Sequence, residues 1–163
     1  MIDYNCREEW QACCNGFRVR TTKRTLKEFG PRRVLIIDDD HDLLMAMKEY
    51  FELEEYEVLL ARNGKDALDL LTEAEEKNLP DLIFLDHMMP VMDGTAFSRS
   101  RKNVPRISNI PVVLTTASGK FRGLMDEVEA EAYLQKPVDI DQLQNLSIHF
   151  IHRRLETQTG FLV

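Results

Sequence analysis

The chain has 163 residues, 44% of them apolar and 30% charged, with seven glycines and six prolines; that is enough apolar material for one packed domain, and it excludes a disordered, collagen-like or coiled-coil chain. No apolar run approaches the roughly 20 residues that span a bilayer, and Met1 is followed by polar residues rather than by the basic and apolar start of a secretory signal, so a cytoplasmic protein without a membrane span is expected. The net charge of −7 is unevenly placed, with +4 on residues 1–33 and −11 on the rest, and an acidic body argues against direct nucleic acid binding.

Residues 1–32 read as a basic N-terminal arm. Cys6, Cys13 and Cys14 all lie in it; an odd, clustered set makes a poor disulfide framework and matches no common zinc spacing, so free thiols are expected. Regular patterning begins after Gly30-Pro31. Val34–Ile37 is a short apolar run rich in β-branched residues, the mark of a strand buried on both faces. Leu43, Leu44, Met47 and Phe51 then recur at helical spacing. Tyr56–Ala61 reads as a more exposed strand nearer an edge. Ala67, Leu68, Leu70 and Leu71 mark a helix that starts after Asn63-Gly64 and ends near Asn78-Leu79-Pro80.

Leu82–Leu85 is a third buried strand, followed by a polar loop and a short helix over residues 95–102. Pro111 opens a fourth strand, Val112–Thr116. A helix is expected over residues 120–131 and a brief fifth strand over 132–134. The last helix has Asp139 as N-cap and Gln142 three positions on, a capping-box spacing, with Ile140, Leu143, Leu146 and Phe150 as its apolar stripe. Strand and helix thus alternate five times, which predicts a parallel sheet covered by helices on both faces and joined by right-handed crossovers.

Ligands of such sheets bind beyond the carboxyl ends of the strands, where strand order reverses. Strand one runs into Asp38-Asp39-Asp40, strand three ends in Asp86, strand four ends in Thr116, and Lys136-Pro137 follows strand five. Clustered carboxylates repel and are costly to bury unpaired. A hard divalent cation, Mg2+ or Mn2+, relieves that cost and keeps coordination positions for water and phosphate oxygens. An Asp carboxylate can then act as nucleophile and form an acyl phosphate. Lys136 supplies a compact positive charge for a phosphoryl oxygen and Thr116 a hydroxyl donor. Taken singly each residue has a plain structural explanation, and Asp40 is read only as a helix N-cap. Their joint arrival at successive strand ends is what structure alone does not explain.

The segments Val34-Leu-Ile-Ile-Asp-Asp-Asp40, Leu82-Ile-Phe-Leu-Asp-His-Met-Met-Pro-Val-Met-Asp-Gly94, Val112-Val-Leu-Thr-Thr-Ala117 and Tyr133-Leu-Gln-Lys-Pro137 resemble the signature segments of response-regulator receiver domains. The resemblance covers about residues 33–154, leaving 155–163 as a short tail. It implies a flavodoxin-like, doubly wound α/β fold with a five-stranded parallel sheet in the order 2-1-3-4-5. Position by position it implies that Asp86 is the phosphoacceptor and that Asp39 ligates the metal directly, with Asp38 beside it. It further implies that Met88 lends its backbone carbonyl, that Thr116 and Tyr133 form a switch pair, and that Lys136 pairs with phosphoryl oxygens ahead of a cis peptide to Pro137.

Met88 and Ser118 fall where the family tunes dephosphorylation, and neither side chain readily orients a water, which implies a long-lived phosphorylated form. Glu129-Ala-Glu-Ala-Tyr133 departs from the family, where a glycine turn is common. The resemblance implies a sensor histidine kinase or a histidine phosphotransfer protein as donor. It also implies a stand-alone receiver that docks a downstream protein through about residues 120–152. A non-phosphorylated interaction module of the same fold is the alternative. A haloacid-dehalogenase-type phosphatase is disfavoured because His41-Asp42 stands where its motif needs Gly-Thr. His87 is expected at the site mouth; His149 and His152 are expected on the surface.

Overall fold

The structure, a computed structural model, describes residues 32–117 and 121–159. The cysteine-bearing arm, Ser118 and the last four residues lie outside the described residues. Among the described residues, five strands form one sheet: β1 (Arg33–Ile37), β2 (Glu57–Ala61), β3 (Leu82–Asp86), β4 (Val112–Thr116) and β5 (Ala132–Gln135). The order is β2-β1-β3-β4-β5, and every neighbouring pair is parallel. This is the doubly wound fold that the strand–helix alternation predicts.

Alternation along each strand divides the core in two. Leu35, Ile37, Ile83, Leu85, Val112 and Leu114 face one layer, where they meet Ala67 and Leu71 of α2 (Gly64–Glu73), Phe97 of α3 (Gly94–Lys102) and Val128 of α5 (Phe121–Val128). Val34, Ile36, Leu82, Phe84 and Val113 face the other, against Leu44, Met47 and Phe51 of α1 (His41–Leu53) and Leu143, Leu146 and Phe150 of α6 (Ile140–Thr159). β1, β3 and β4 are buried almost throughout, whereas β2 keeps partial exposure up to Ala61, as an edge strand should. Truncating a ring such as Phe51 or Phe84, both 0% exposed, would cost about 3–5 kcal/mol.

Several boundaries differ from the sequence reading, each for a local reason. The second helix stops at Glu73 and a separate 3-10 turn occupies Glu76–Asn78. Glu73, Glu75 and Glu76 place negative charge where the helix already ends in partial negative charge, which disfavours continuation. The guanidinium of Arg106 takes up the released carbonyls, donating to Leu71, Thr72 and Ala74. Arg106 itself sits in α4 (Pro105–Ser108), a one-turn helix opened by proline at its first position, which apolar periodicity could not announce. The fourth predicted helix ends at Val128, and Glu129 adopts φ 51°, the left-handed turn conformation that a glycine takes more readily. Helix α6 starts as expected, with Asp139 Oδ1 accepting from the Gln142 N–H at 2.9 Å, but Ile140 is 51% exposed and Ile151 replaces it on the buried face. The helix continues to Thr159, past residue 154.

Candidate functional site

Because all five strands are parallel, their carboxyl ends share one edge. The winding reverses between β1 and β3, since β1 leads outward to β2 and β3 leads the other way to β4. Asp38 and Asp39 follow β1 and Asp86 closes β3, so the acids stand at the reversal point. One carboxylate oxygen from each of Asp38, Asp39 and Asp86 lies within 4.8 Å of the others. Asp38 and Asp86 are buried, at 1% and 6% exposure, while Asp39 faces solvent.

The backbone fixes these side chains. Asp38 Oδ1 accepts from the Asp40 N–H at 3.0 Å, a local turn that holds its carboxylate against the strand end. Asp40 caps α1, accepting from the N–H groups of Asp42 and Leu43, which is the role the sequence assigns it. Asp86 Oδ2 accepts from the Met88 N–H at 2.8 Å. A Cβ built on Gly94 would lie 2.7 Å from the Asp86 carbonyl oxygen and 3.1 Å from His87 Cα. Only glycine lets the start of α3 lie so close to the end of β3, and its N–H donates to the His87 carbonyl at 3.0 Å.

Lys136 is the cation of the site. Its Nζ lies 2.8 Å from Asp38 Oδ2 and 2.6 Å from Asp86 Oδ1. Its own N–H donates to the Thr116 carbonyl at 2.9 Å, continuing the β4–β5 ladder, and its peptide to Pro137 is cis. Burial alone would lower the Lys136 pKa, but hydrogen bonds and charge from Asp38 and Asp86 outweigh it and raise the value. Burial raises the Asp86 carboxyl above its ordinary value; the Lys136 hydrogen bond opposes this, and the charge on Asp38 adds to it. The two directions are compatible: one ammonium serves two buried carboxylates, so the lysine gains more than either acid. Three carboxylates facing one ammonium leave net negative charge at a half-open site. The chemistry of this donor set, hard oxygens in excess of cation, fits Mg2+ or Mn2+.

Thr116 is 4% exposed at the end of β4, and Tyr133 is half-buried on β5. His87 is partly exposed beside Asp86, Met88 is 74% exposed, and His149 is exposed on α6. All the residues singled out from the sequence and described here, except Tyr133 and the α6 histidines, lie at the carboxyl edge of the sheet or in the loops leaving it. Sequence reasoning did not assign a site role to the first turn of α2. The Gly64 N–H donates to the Met92 carbonyl at 3.0 Å, inside the loop that follows Asp86. The Asn63-Gly64 pair signalled only a helix start, and nothing in it points across space to another loop.

The profile of the response regulator receiver domain matches residues 34–147. Sporulation initiation phosphotransferase F of Bacillus subtilis is 34% identical over 115 residues, spanning 69% of this chain and 88% of that protein. The solved signal receiver domain of a signal transduction histidine kinase from Syntrophus aciditrophicus matches with a TM-score of 0.62 at 31% identity, over 77% of this chain and 91% of that one. A receiver domain of a sensor histidine kinase from Pseudomonas aeruginosa, solved with a magnesium ion coordinated in its active site cleft, shares the fold at 22% identity and a TM-score of 0.66, over 76% of this chain and 99% of that one. Other curated relatives are longer, and the chain spans 23%, 45% or 47% of their length. Among the described residues no helix is long and apolar enough to cross a membrane.

Proposed function

The chain belongs to the response regulator receiver domain family, and on that footing we propose that it is a cytoplasmic phosphoacceptor that takes a phosphoryl group onto Asp86. The observation that carries the reading is the meeting of Asp38, Asp39 and Asp86 within 4.8 Å, with Lys136 bridging two of them. Asp38 and Asp39, with Asp86 and the Met88 carbonyl, would hold the divalent cation. When bound, that cation offsets the repulsion between the carboxylates and an incoming phosphoryl group.

The chain's own groups do the rest. A carboxylate oxygen of Asp86 attacks phosphorus, an oxygen–phosphorus bond forms, and the bond from phosphorus to the donor's histidine nitrogen breaks. Lys136, already 2.6 Å from Asp86, follows the charge onto a phosphoryl oxygen. Thr116 supplies a hydroxyl at the end of the neighbouring strand, and Tyr133 responds to its movement from β5. The donor is a sensor histidine kinase or a histidine phosphotransfer protein. The output is a protein-docking face of about residues 120–152, whose two arrangements phosphorylation biases. The chain turns over only its own phosphoryl group. Residues 33–154 carry this activity, with residues 1–32 as a basic arm.

Intact mass measured after incubation with Mg2+ and acetyl phosphate tests the proposal. A single phosphoryl adduct is expected, base-labile, absent with EDTA and absent from Asp86→Asn. No adduct, together with no binding of beryllofluoride, would move the assignment to an interaction module that is never phosphorylated.

A further inference from the structure

The loop from Asp86 to α3 contains a strained turn. The Met92 N–H donates to the Pro90 carbonyl at 2.8 Å across a single residue, Val91, whose φ is 70°. This is a three-residue γ-turn with positive central φ, the rarer and more strained of the two γ-turn forms, and a β-branched residue is the least suited to it. Burial does not explain its presence, because Val91 is 84% exposed. What holds the turn is its neighbour. Met92 is tied on both sides: its N–H closes the γ-turn, and its carbonyl accepts the Gly64 N–H at 3.0 Å.

Gly64 makes that tie sterically possible. A Cβ at residue 64 would stand 2.8 Å from Met92 Cγ, 2.8 Å from Phe97 Cβ and 3.0 Å from the Met92 carbonyl oxygen. Phe97 is fully buried on α3 and cannot retreat, so a side chain at 64 must push Met92 and the loop around it. The other end of the same loop carries Met88, whose N–H holds the Asp86 carboxylate.

We propose that Gly64, acting through Met92, is a positioning residue for the metal and acceptor site. It clamps the strained Val91 turn, so that the Met88 peptide and the Asp86 carboxylate are held together before any cation arrives. The inference rests on the receiver reading, since it concerns the same site. It places the first turn of α2 in the acceptor machinery, a part of the fold distant from the acids in sequence.

The test is calorimetric titration of the full chain with Mg2+ at neutral pH, with thermal unfolding measured on the same samples. Gly64→Ala should bind Mg2+ about tenfold more weakly than wild type, the lower end of the loss seen when supporting contacts around metal sites are removed. Val91→Gly removes the strain and should raise the thermal midpoint by about 2–4 °C. With glycine at 91 the turn no longer needs its clamp, so the double variant Gly64→Ala/Val91→Gly should return to within about threefold of wild-type affinity; contacts of this kind couple rather than add. Rescue of affinity is what a merely structural role for Gly64 would not produce. Gly64→Ala with wild-type Mg2+ affinity overturns the inference, and so does a double variant as weak as Gly64→Ala alone. A wild-type chain that binds no Mg2+ overturns the receiver reading, and the inference falls with it.

Discussion

Removing the ammonium at the centre of the acidic site should destabilise the metal-free protein and strengthen its hold on Mg2+. In Lys136→Met the aliphatic stem is kept and two contacts are lost, at 2.8 Å to Asp38 and 2.6 Å to Asp86, whose side chains are 2% and 8% exposed. Breaking a buried ion pair from one side typically costs about 3–5 kcal/mol. The Lys136 side chain is 22% exposed, and Asp86 can relieve itself by taking up a proton, so about 2 kcal/mol is the expected cost at pH 7. For a domain of this size that is about 6–10 °C in thermal midpoint.

With saturating Mg2+ the cation takes over the neutralising role, and the gap to wild type should narrow to about 2–3 °C. The thermodynamic cycle then requires that Mg2+ bind the variant about tenfold more tightly, since the difference between the two gaps is the coupling between lysine and metal. Thermal unfolding with EDTA and with graded Mg2+ reads both quantities. The pH dependence supplies a second check. Asp86 lies above its ordinary value of 3.8, so its proton favours the folded state; that contribution is full below about pH 3.8 and is lost as pH rises through the higher folded value. Lys136→Met should therefore gain more stability than wild type on acidification from pH 7 to pH 5. Lys136 itself is raised above 10.5, so in wild type its contribution is full below about pH 10.5 and is lost as pH climbs through the folded value. Equal metal-free midpoints for the two proteins, or a gap that Mg2+ leaves unchanged, would refute this account of what holds the carboxylates together.

Asp39 is exposed and lacks the lysine contact, so Asp39→Asn should raise metal-free stability by about 0.5–1 kcal/mol through relief of repulsion, while abolishing most Mg2+-dependent stabilisation in the same unfolding assay. Gly94→Ala forces a methyl against the Asp86 carbonyl; it should cost about 2–3 kcal/mol in urea unfolding and slow acetyl phosphate labelling even where the protein is folded. Arg106→Ala frees the Leu71, Thr72 and Ala74 carbonyls and should cost about 1–2 kcal/mol, with faster amide exchange confined to the end of α2. Arg101 is fully buried and donates through Nη1 to the carbonyls of Ile107, Ser108 and Ile110, while its Nε and Nη2 lack partners among the described residues. Arg101→Met removes an expensive buried charge but orphans those carbonyls, so a net loss of only about 1 kcal/mol is expected, with amide exchange faster over residues 103–110.

The parts legible in the sequence are those where chemistry and chain order coincide. Val34–Ile37 runs directly into Asp38 and Asp39, and Leu82–Leu85 into Asp86, so a reader who places the strands has also placed the acids on one edge. Lys136 follows from the same logic at the end of β5, and its bridging of Asp38 and Asp86 lets one ammonium serve two buried carboxylates. The illegible parts depend on contacts between residues far apart in the chain. Arg106 looks like a surface charge until its partners, more than thirty residues earlier, are known. Arg101 looks the same, although it falls four residues after Phe97 and so shares its buried face. Glu129 and Val91 hold positive φ where neither residue type predicts it, because sequence preference is weak against a short connection fixed by a strand at one end and a helix at the other.

This contrast bears on how the loop after Asp86 is held. The acids are specified by their own neighbours in sequence, and any chain with these strands would bring them together. On the inference above, the loop after Asp86 is set by α2 through the Gly64 N–H and the Met92 carbonyl that accepts from it, while the Met92 side chain packs against the core. A change at Gly64 or Val91 can thus alter metal affinity without touching a ligand, whereas a change at Asp39 alters the ligand set without moving the loop. If the two parts are separate in this sense, Asp39→Asn and Gly64→Ala should differ in kind. The first should lose Mg2+ binding and keep the Asp86–Met88 hydrogen bond, with no change in amide exchange at Met88. The second should keep every ligand and show faster exchange at Met88 and Met92. Identical exchange patterns in the two variants would mean that ligands and loop form one cooperative unit.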